Sequence, residues 1–343
     1  MKKIYLTLNF LQLMAGNLNT NVTTDTGLAP ENKTFYDKTL IVEAGPNLVH
    51  DQFGQKRPIP KNGGKEIEFR QYAKLPKALT ALTEGVTPDG QKLTVTKKTA
   101  TVSQYGNYVC LSDMLDLTAI DNNVLEATKA IGNQAGLTLD TITRNVLQSG
   151  TNVYYCPKKT ASGMTAVDDR SNLDGTCVLT VDVVKRVAAT LKAANAPKIN
   201  GDYVCILHPY VAYDLMSDPA WEDIHKYCRP EEQYAGEIGR VAGVRFVETS
   251  EAAIYAGTED ECPTGLAVFG CLFLGANAYG VTEIEGGGLK TIIKQLGSAG
   301  TADPLDQRST VGWKAIKTAE ILIEAYLIRV ECCSAFSPTA KKN

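Results

Sequence analysis

The chain has 343 residues, 44% of them hydrophobic and 21% charged, with a net charge of −3 at pH 7. That balance specifies folded domains, two or three at this length, rather than a disordered chain, and a core large enough to need no disulfide or metal staple. It lacks the basic excess that tight binding to DNA phosphates demands. Nine cysteines, an odd number with no C-x-x-C spacing, predict reduced thiols. Adjacent Cys332 and Cys333 cannot form an unstrained bridge with each other.

In chain order, Lys2 and Lys3 precede an apolar run over 4–16 that Thr7, Asn9 and Gln12 interrupt, so no export signal is expected. No stretch approaches the ~20 apolar residues of a membrane span. Residues 17–34, rich in Asn and Thr, read as a flexible or partner-dependent arm. Pro58, Pro60, Gly63 and Gly64 then punctuate a turn. The alternation over 65–72, with Ile67 and Phe69 on one face, predicts a half-exposed strand, and 91–111 predicts a second, longer one. Pro76, Gly85, Pro88 and Asp89-Gly90 make the connection a wide loop. Such a two-stranded ribbon is marginal alone in water, so it expects a partner surface.

A long helix is predicted over 121–150. Val124, Thr128, Ile131, Ala135, Leu139, Ile142 and Val146 share one face, Asp121 is placed to cap its start and Gly150 its end. At ~1.5 Å per residue it spans roughly 42 Å. Residues 150–180 read as a loop with short strands. A compact α/β pattern follows: a helix over 181–194, a buried strand over 203–207, a helix over 209–216 with proline in its first turn, and strands over 267–274 and 280–284. Residues 314–331 predict one core strand, and 337–343 a frayed end.

Charge is unevenly distributed. Segment 56–98 carries ten Lys/Arg against four acids, a net of +6, whereas 213–261 carries four against twelve, a net of −8. These are either two solvated surfaces or a basic ribbon that meets an acidic face on a neighbouring copy, since complementary patches steer docking. Catalytic patterns are missing. Neither G-x-S-x-G nor a Walker loop occurs, and His50, His208 and His225 stand outside any metal-ligand spacing, so no catalytic residue, cofactor or metal is expected. His208, at a strand-to-helix junction, is expected to make a local hydrogen bond. Gly286-Gly287-Gly288 reads as a bend before a strand over 289–296, and Glu222-Asp223, Glu231-Glu232 and 259–261 as exposed carboxylates. Phe69, Tyr72, Tyr105 and Tyr108 are too few for a base-stacking platform and fit strand packing or an interface.

The run LPKALTALTEGVTP at 75–88 resembles the extended loop of tailed-phage major capsid proteins, specifically the capsid family named after coliphage N-four, which has the Hong Kong-97 shell fold. Further similar runs follow in order at 47–69, 111–121, 207–221, 236–251 and 278–313. The resemblance implies an α+β fold with an N-terminal arm over 1–55 and an extended β-hairpin loop over 56–108 lying on an adjacent subunit. It also implies a peripheral domain of 109–179 and 311–343 with 121–150 as its spine helix, and an axial domain over 180–310. The implied function is a major capsid protein of a tailed phage or prophage, not an enzyme. It would assemble as pentamers and hexamers into an icosahedral shell around double-stranded DNA, bound without sequence specificity. Implied partners are other copies of itself, a portal, and scaffolding or decoration proteins, with no membrane. The implied location is the virion, assembled in the bacterial cytoplasm. Candidate intersubunit contacts are Arg70, Lys74, Lys77 and Glu84 on the ribbon, with Arg240 and Arg308 elsewhere. The alternatives are an encapsulin-like nanocompartment shell enclosing protein cargo, and a cytosolic α/β enzyme.

Overall fold

The computed structural model describes residues 20–21, 49–82, 84–87, 89–119, 123–160, 163–225, 239–298, 300 and 303–343. The expected arm lies largely outside the described residues, as do Asp121, Cys228 and Glu231-Glu232. The chain divides into two compact units, one of residues 1–45, 104–138 and 287–316, the other of 46–103, 139–286 and 317–343.

The larger unit is built on a seven-stranded sheet. Its strands follow the order Arg240–Val241, Val244–Glu248, Tyr203–Leu207, Ala267–Leu274, Leu327–Cys332, Val153–Tyr155, with Ile254–Ala256 paired to the start of Ala267–Leu274. Tyr203–Leu207 and Ala267–Leu274 are buried at every position, which is why they read as unbroken apolar runs rather than alternating ones. Side chains alternate between faces. Cys205, Leu207, Phe269 and Phe273 pack with Val184, Val187 and Leu191 of helix Val181–Ala193. Val204, Ile206, Leu272 and Leu274 pack on the other face with Val49, Leu147 and Tyr279. Helix Pro209–Met216 begins with proline in its first turn, as expected, after the His208 cap.

In the smaller unit, strands Thr20–Asn21, Ser103–Ser112, the first part of Arg308–Ile321 and Lys290–Lys294 lie side by side in that order. In the larger unit the last residues of Arg308–Ile321 pair with Tyr279–Thr282, which pairs with Gln55–Lys56. Both units combine helices with β-sheet, the expected α+β class.

Several expectations are corrected. The strand expected over 91–111 is two strands: Val95–Thr101 pairs with Glu66–Tyr72, and Ser103–Ser112 joins a different sheet. The break falls at buried Val102, whose N–H donates to the Lys65 carbonyl at 2.9 Å. The strand expected over 314–331 is likewise two, Arg308–Ile321 and Leu327–Cys332, on separate sheets. Neither break carries a Gly or Pro, the usual local punctuation.

The long helix runs Asn123–Gln148. Gly150 does not cap it in the left-handed region; a Cβ there would lie 3.1 Å from Leu327 Cδ2 and 3.3 Å from Ile321 Cδ1, so close packing is its reason. The buried face also differs in the second half of the helix. Leu139, Ile142 and Val146 are half-buried, while Asp140, Thr143, Arg144 and Gln148 are buried beside Leu147. The tail is not frayed. Ala267 donates its N–H to Pro338 O at 2.7 Å, Lys342 pairs with Asp260 at 2.7 Å, and the Asn343 amide accepts from Ile254 N–H and donates to Ala252 O. These long-range contacts leave no periodic trace in the sequence.

Candidate functional site

The ribbon is exposed along most of its length. Glu66–Tyr72 and Val95–Thr101 pair antiparallel from Glu66↔Thr101 to Tyr72↔Val95. Phe69 anchors its root, buried against Gly280, where a Cβ would stand 2.8 Å from Phe69 Cζ. Beyond the root the connection over 73–94 is exposed at every residue whose exposure is described, and it displays Leu75, Leu79 (86% exposed), Leu82 (77%), Val86 and Leu93. Apolar side chains this exposed on a two-stranded support gain stability only against another surface.

The candidate contacts fall in different places. Arg70 lies on the ribbon, pairing with Glu68 at 3.5 Å, and Lys97 reaches the same carboxylate at 3.2 Å. Lys97, chiefly, holds the Glu68 carboxyl below the ordinary range. Lys74, Lys77 and Glu84 are exposed on the 73–94 connection. Arg240 lies in the first strand of the seven-stranded sheet, with its guanidinium exposed and 3.2 Å from Asp202. Arg308 opens the long strand Arg308–Ile321 in the other unit; its side chain is 3.5 Å from Asp303, whose carboxylate also accepts the Arg308 N–H. The two charged segments are only partly free. In 213–261, Asp214 accepts from Ala335 N–H, Asp218 from Val181 and Ala220 N–H, and Asp260 from Ala256 N–H and Lys342, so these carboxylates stabilise the fold. Burial raises the Asp214 carboxyl above its usual range.

His208 acts as expected, Nδ1 accepting the Tyr210 N–H at 3.2 Å as the helix cap, and burial lowers its pKa to about 4. It is therefore a neutral acceptor at pH 7. Gly286 takes φ +79° in the bend before strand Lys290–Lys294. Among the described residues no three His, Cys, Asp or Glu side chains come together as metal ligands, and no helix is long and apolar enough to cross a membrane.

Sequence reasoning missed two buried polar clusters in the larger unit. His50, 1% exposed, donates its N–H to Asp140 Oδ1 at 2.9 Å and places Nδ1 2.6 Å from Oδ2. Beside it, Thr143 donates to Asp51 at 2.6 Å, while Lys317 pairs with Asp51 and donates to Leu139 O at 2.9 Å. The second cluster joins Arg170, Arg329 and Glu331. The positions 140, 143, 144 and 148 share a helical face, a polar periodicity that was visible in the sequence.

A family model described as phage capsid protein matches residues 95–319, well over half of the chain, and the chain belongs to that family. It is a major capsid protein, a structural component of a bacteriophage shell. Solved structures of phage capsids share its fold, the expected Hong Kong-97 type. The capsid of cyanophage Pam1 superposes with a TM-score of 0.67 at 14% identity, over 94% of this chain and 100% of that one. The capsid of cyanophage P-SCSP1u gives 0.65 at 14% identity over 90% and 95%. The head of Helicobacter pylori bacteriophage KHP40 gives 0.63 at 12% identity over 94% and 100%. No curated protein sequence matches the chain.

Proposed function

We propose that this capsid protein forms the pentamers and hexamers of an icosahedral tailed-phage head enclosing double-stranded DNA, and that within its family it belongs with the capsids named after coliphage N-four. The exposed apolar connection over 73–94 supports this reading most strongly: its leucines gain about 1.5–3 kcal/mol each when a neighbouring copy covers them. Closed symmetry multiplies such contacts over the shell. In this layout 1–55 is an arm and 56–108 the loop lying on the next subunit. Residues 109–179 with 311–343 make the peripheral domain, and 180–310 the axial one. Arg70, Lys74, Lys77, Glu84, Arg240 and Arg308 face other copies. Portal, scaffolding or decoration proteins complete the head in the host cytoplasm, and a net charge of −3 lets packaged DNA slide past the shell. The chain performs no catalysis.

Velocity sedimentation of the purified chain, with negative-stain microscopy of the fast fraction, tests the reading. Hollow uniform particles or discrete pentamers and hexamers are expected, with long DNA rather than protein cargo in particles from infected cells. A single slow species of one or two chains, unchanged by crowding agents or scaffolding protein, would refute it. Lys74→Glu with Lys77→Glu should impair assembly while leaving the subunit folded.

A further inference from the structure

We propose that the root of the hairpin is an anion site, and that its occupant in the shell is a carboxylate from the turn over 257–261 of a second copy of this chain. The proposal rests on the shell reading and names one of its contacts. A hollow of about 230 Å³ lies at this root, lined by Gln55, Arg57, Arg70, Gln71, Lys98 and Asn277 among others, with no Asp or Glu among the described residues that line it. Strand register explains the charge. Phe69 stands opposite Lys98 and Gln71 opposite Thr96, so these four project from one face of the hairpin. Arg70 stands opposite Lys97, and both reach Glu68, although Arg70 also borders the hollow. Glu68 does not line the hollow and already has these two partners. Arg57 and Lys98 have no carboxylate partner among the described residues. With the Gln55 amide turned so that its oxygen faces Arg57, that neutral oxygen accepts from the guanidinium at 2.9 and 3.2 Å.

Two unneutralised cations directed at one small concavity repel each other, and an anion between them reverses the sign of that energy. The amides of Gln71 and Asn277 supply further donors in the same lining. The complementary group is present on the same chain. The turn over 257–261 carries Glu259 and Glu261, both exposed and without an ion-pair partner among the described residues, while Asp260 between them is held by Lys342 and Ala256 N–H. Gly257 at φ +87° and Glu261 at φ +56° make this turn tight and convex. A carboxylate on a convex turn fits a small concave site, whereas a DNA duplex presents its phosphates along a broad surface. A knob and a socket at different places on one chain make a heterologous contact, the kind that closes into rings.

The experiment uses the full-length chain and reads shell yield by sedimentation, with circular dichroism and thermal melting as the folding controls. Arg57→Glu with Lys98→Glu, and separately Glu259→Lys with Glu261→Lys, should each lower shell yield at least about tenfold without changing the melt of the unassembled subunit. Combining all four substitutions in one chain restores opposite charges at every contact and should recover shells. If the Glu pair fails to fold, Arg57→Gln with Lys98→Gln carries the same test with a smaller loss. Wild-type yield from the socket variants overturns the proposal, as does a quadruple variant that does not recover. Normal shells with less packaged DNA would assign the site to phosphate and overturn it too. Failure of wild-type chain to assemble would instead strike the shell reading itself.

Discussion

Glu331 is the point at which a single substitution should cost the subunit most. Its carboxylate is 0% exposed, accepts from Arg170 Nε at 2.7 Å and Nη2 at 2.6 Å, and lies 2.9 Å from Arg329 Nε. The Arg170 and Arg329 side chains are only 16% and 12% exposed. Hydrogen bonding to Glu331 holds the Arg170 guanidinium above its ordinary range. Glu331→Gln keeps the volume but removes the carboxylate charge that both guanidiniums contact. Leaving a buried charge without its partner costs about 3–5 kcal/mol. The lower end applies, because Arg170 still donates to Asp260 O and lies 3.9 Å over the Tyr255 ring, and Arg329 still donates to Gln148 O. At roughly 2–4 °C per kcal/mol for a unit of this size, the melt should fall by about 6–12 °C. Urea denaturation and thermal melting of unassembled subunits measure it. The triple substitution Glu331→Leu with Arg170→Met and Arg329→Met should recover most of the loss, since no buried charge then remains. A Glu331→Gln subunit within about 1 kcal/mol of wild type would refute the reasoning.

Three further outcomes are expected. His208, lowered to about 4 by burial, binds fewer protons folded than unfolded between that value and 6.5, so stability falls as pH drops through this window. His208→Asn keeps the cap and should flatten the fall, His208→Ala should cost about 1 kcal/mol at pH 7, and an NMR titration of His208 near 6.5 would contradict the account. The eight described thiols are buried, and burial together with neighbouring thiols raises Cys205, Cys271 and Cys332, with Cys333 pushed up to about 12. At Cys333 the folded chain binds more protons than the unfolded between pH 9 and about 12, so stability should decline there by up to about 1.4 kcal/mol per pH unit from this thiol, with Cys205, Cys271 and Cys332 acting in the same direction, and alkylation mapped by mass spectrometry should spare all eight at pH 8 until urea is added. Phe69→Ala should cost about 3–5 kcal/mol and raise protease cleavage within 66–101; an unchanged digest would remove Phe69 from its anchoring role.

Local pattern was a good guide wherever one short-range rule decided the outcome. Tyr203–Leu207 and Ala267–Leu274 were readable because a strand buried on both faces must be apolar throughout. The helix over 209–216 was readable because Pro209 suits a first turn and His208 can cap it. The ribbon's need for a partner was inferred from its having only two strands, and its exposed leucines became visible in the structure. Resemblance, rather than periodicity, supplied the capsid reading that the family match then established.

What the sequence determined by itself was the set of segments that had to be buried and the ribbon that had to find a surface. Only the tertiary structure decided where continuous β patterns change sheets, at Val102 and between Ile321 and Leu327, because a strand bends where its neighbours end and not where its own residues change character. It also decided that Asp140, Arg144 and Glu331 are interior residues, since a charge is tolerated inside only when partners remote in the chain meet it. Those partners, His50 for Asp140, Glu251 and Asn343 for Arg144, and Arg170 for Glu331, lie 90 or more residues away, beyond the reach of any local pattern.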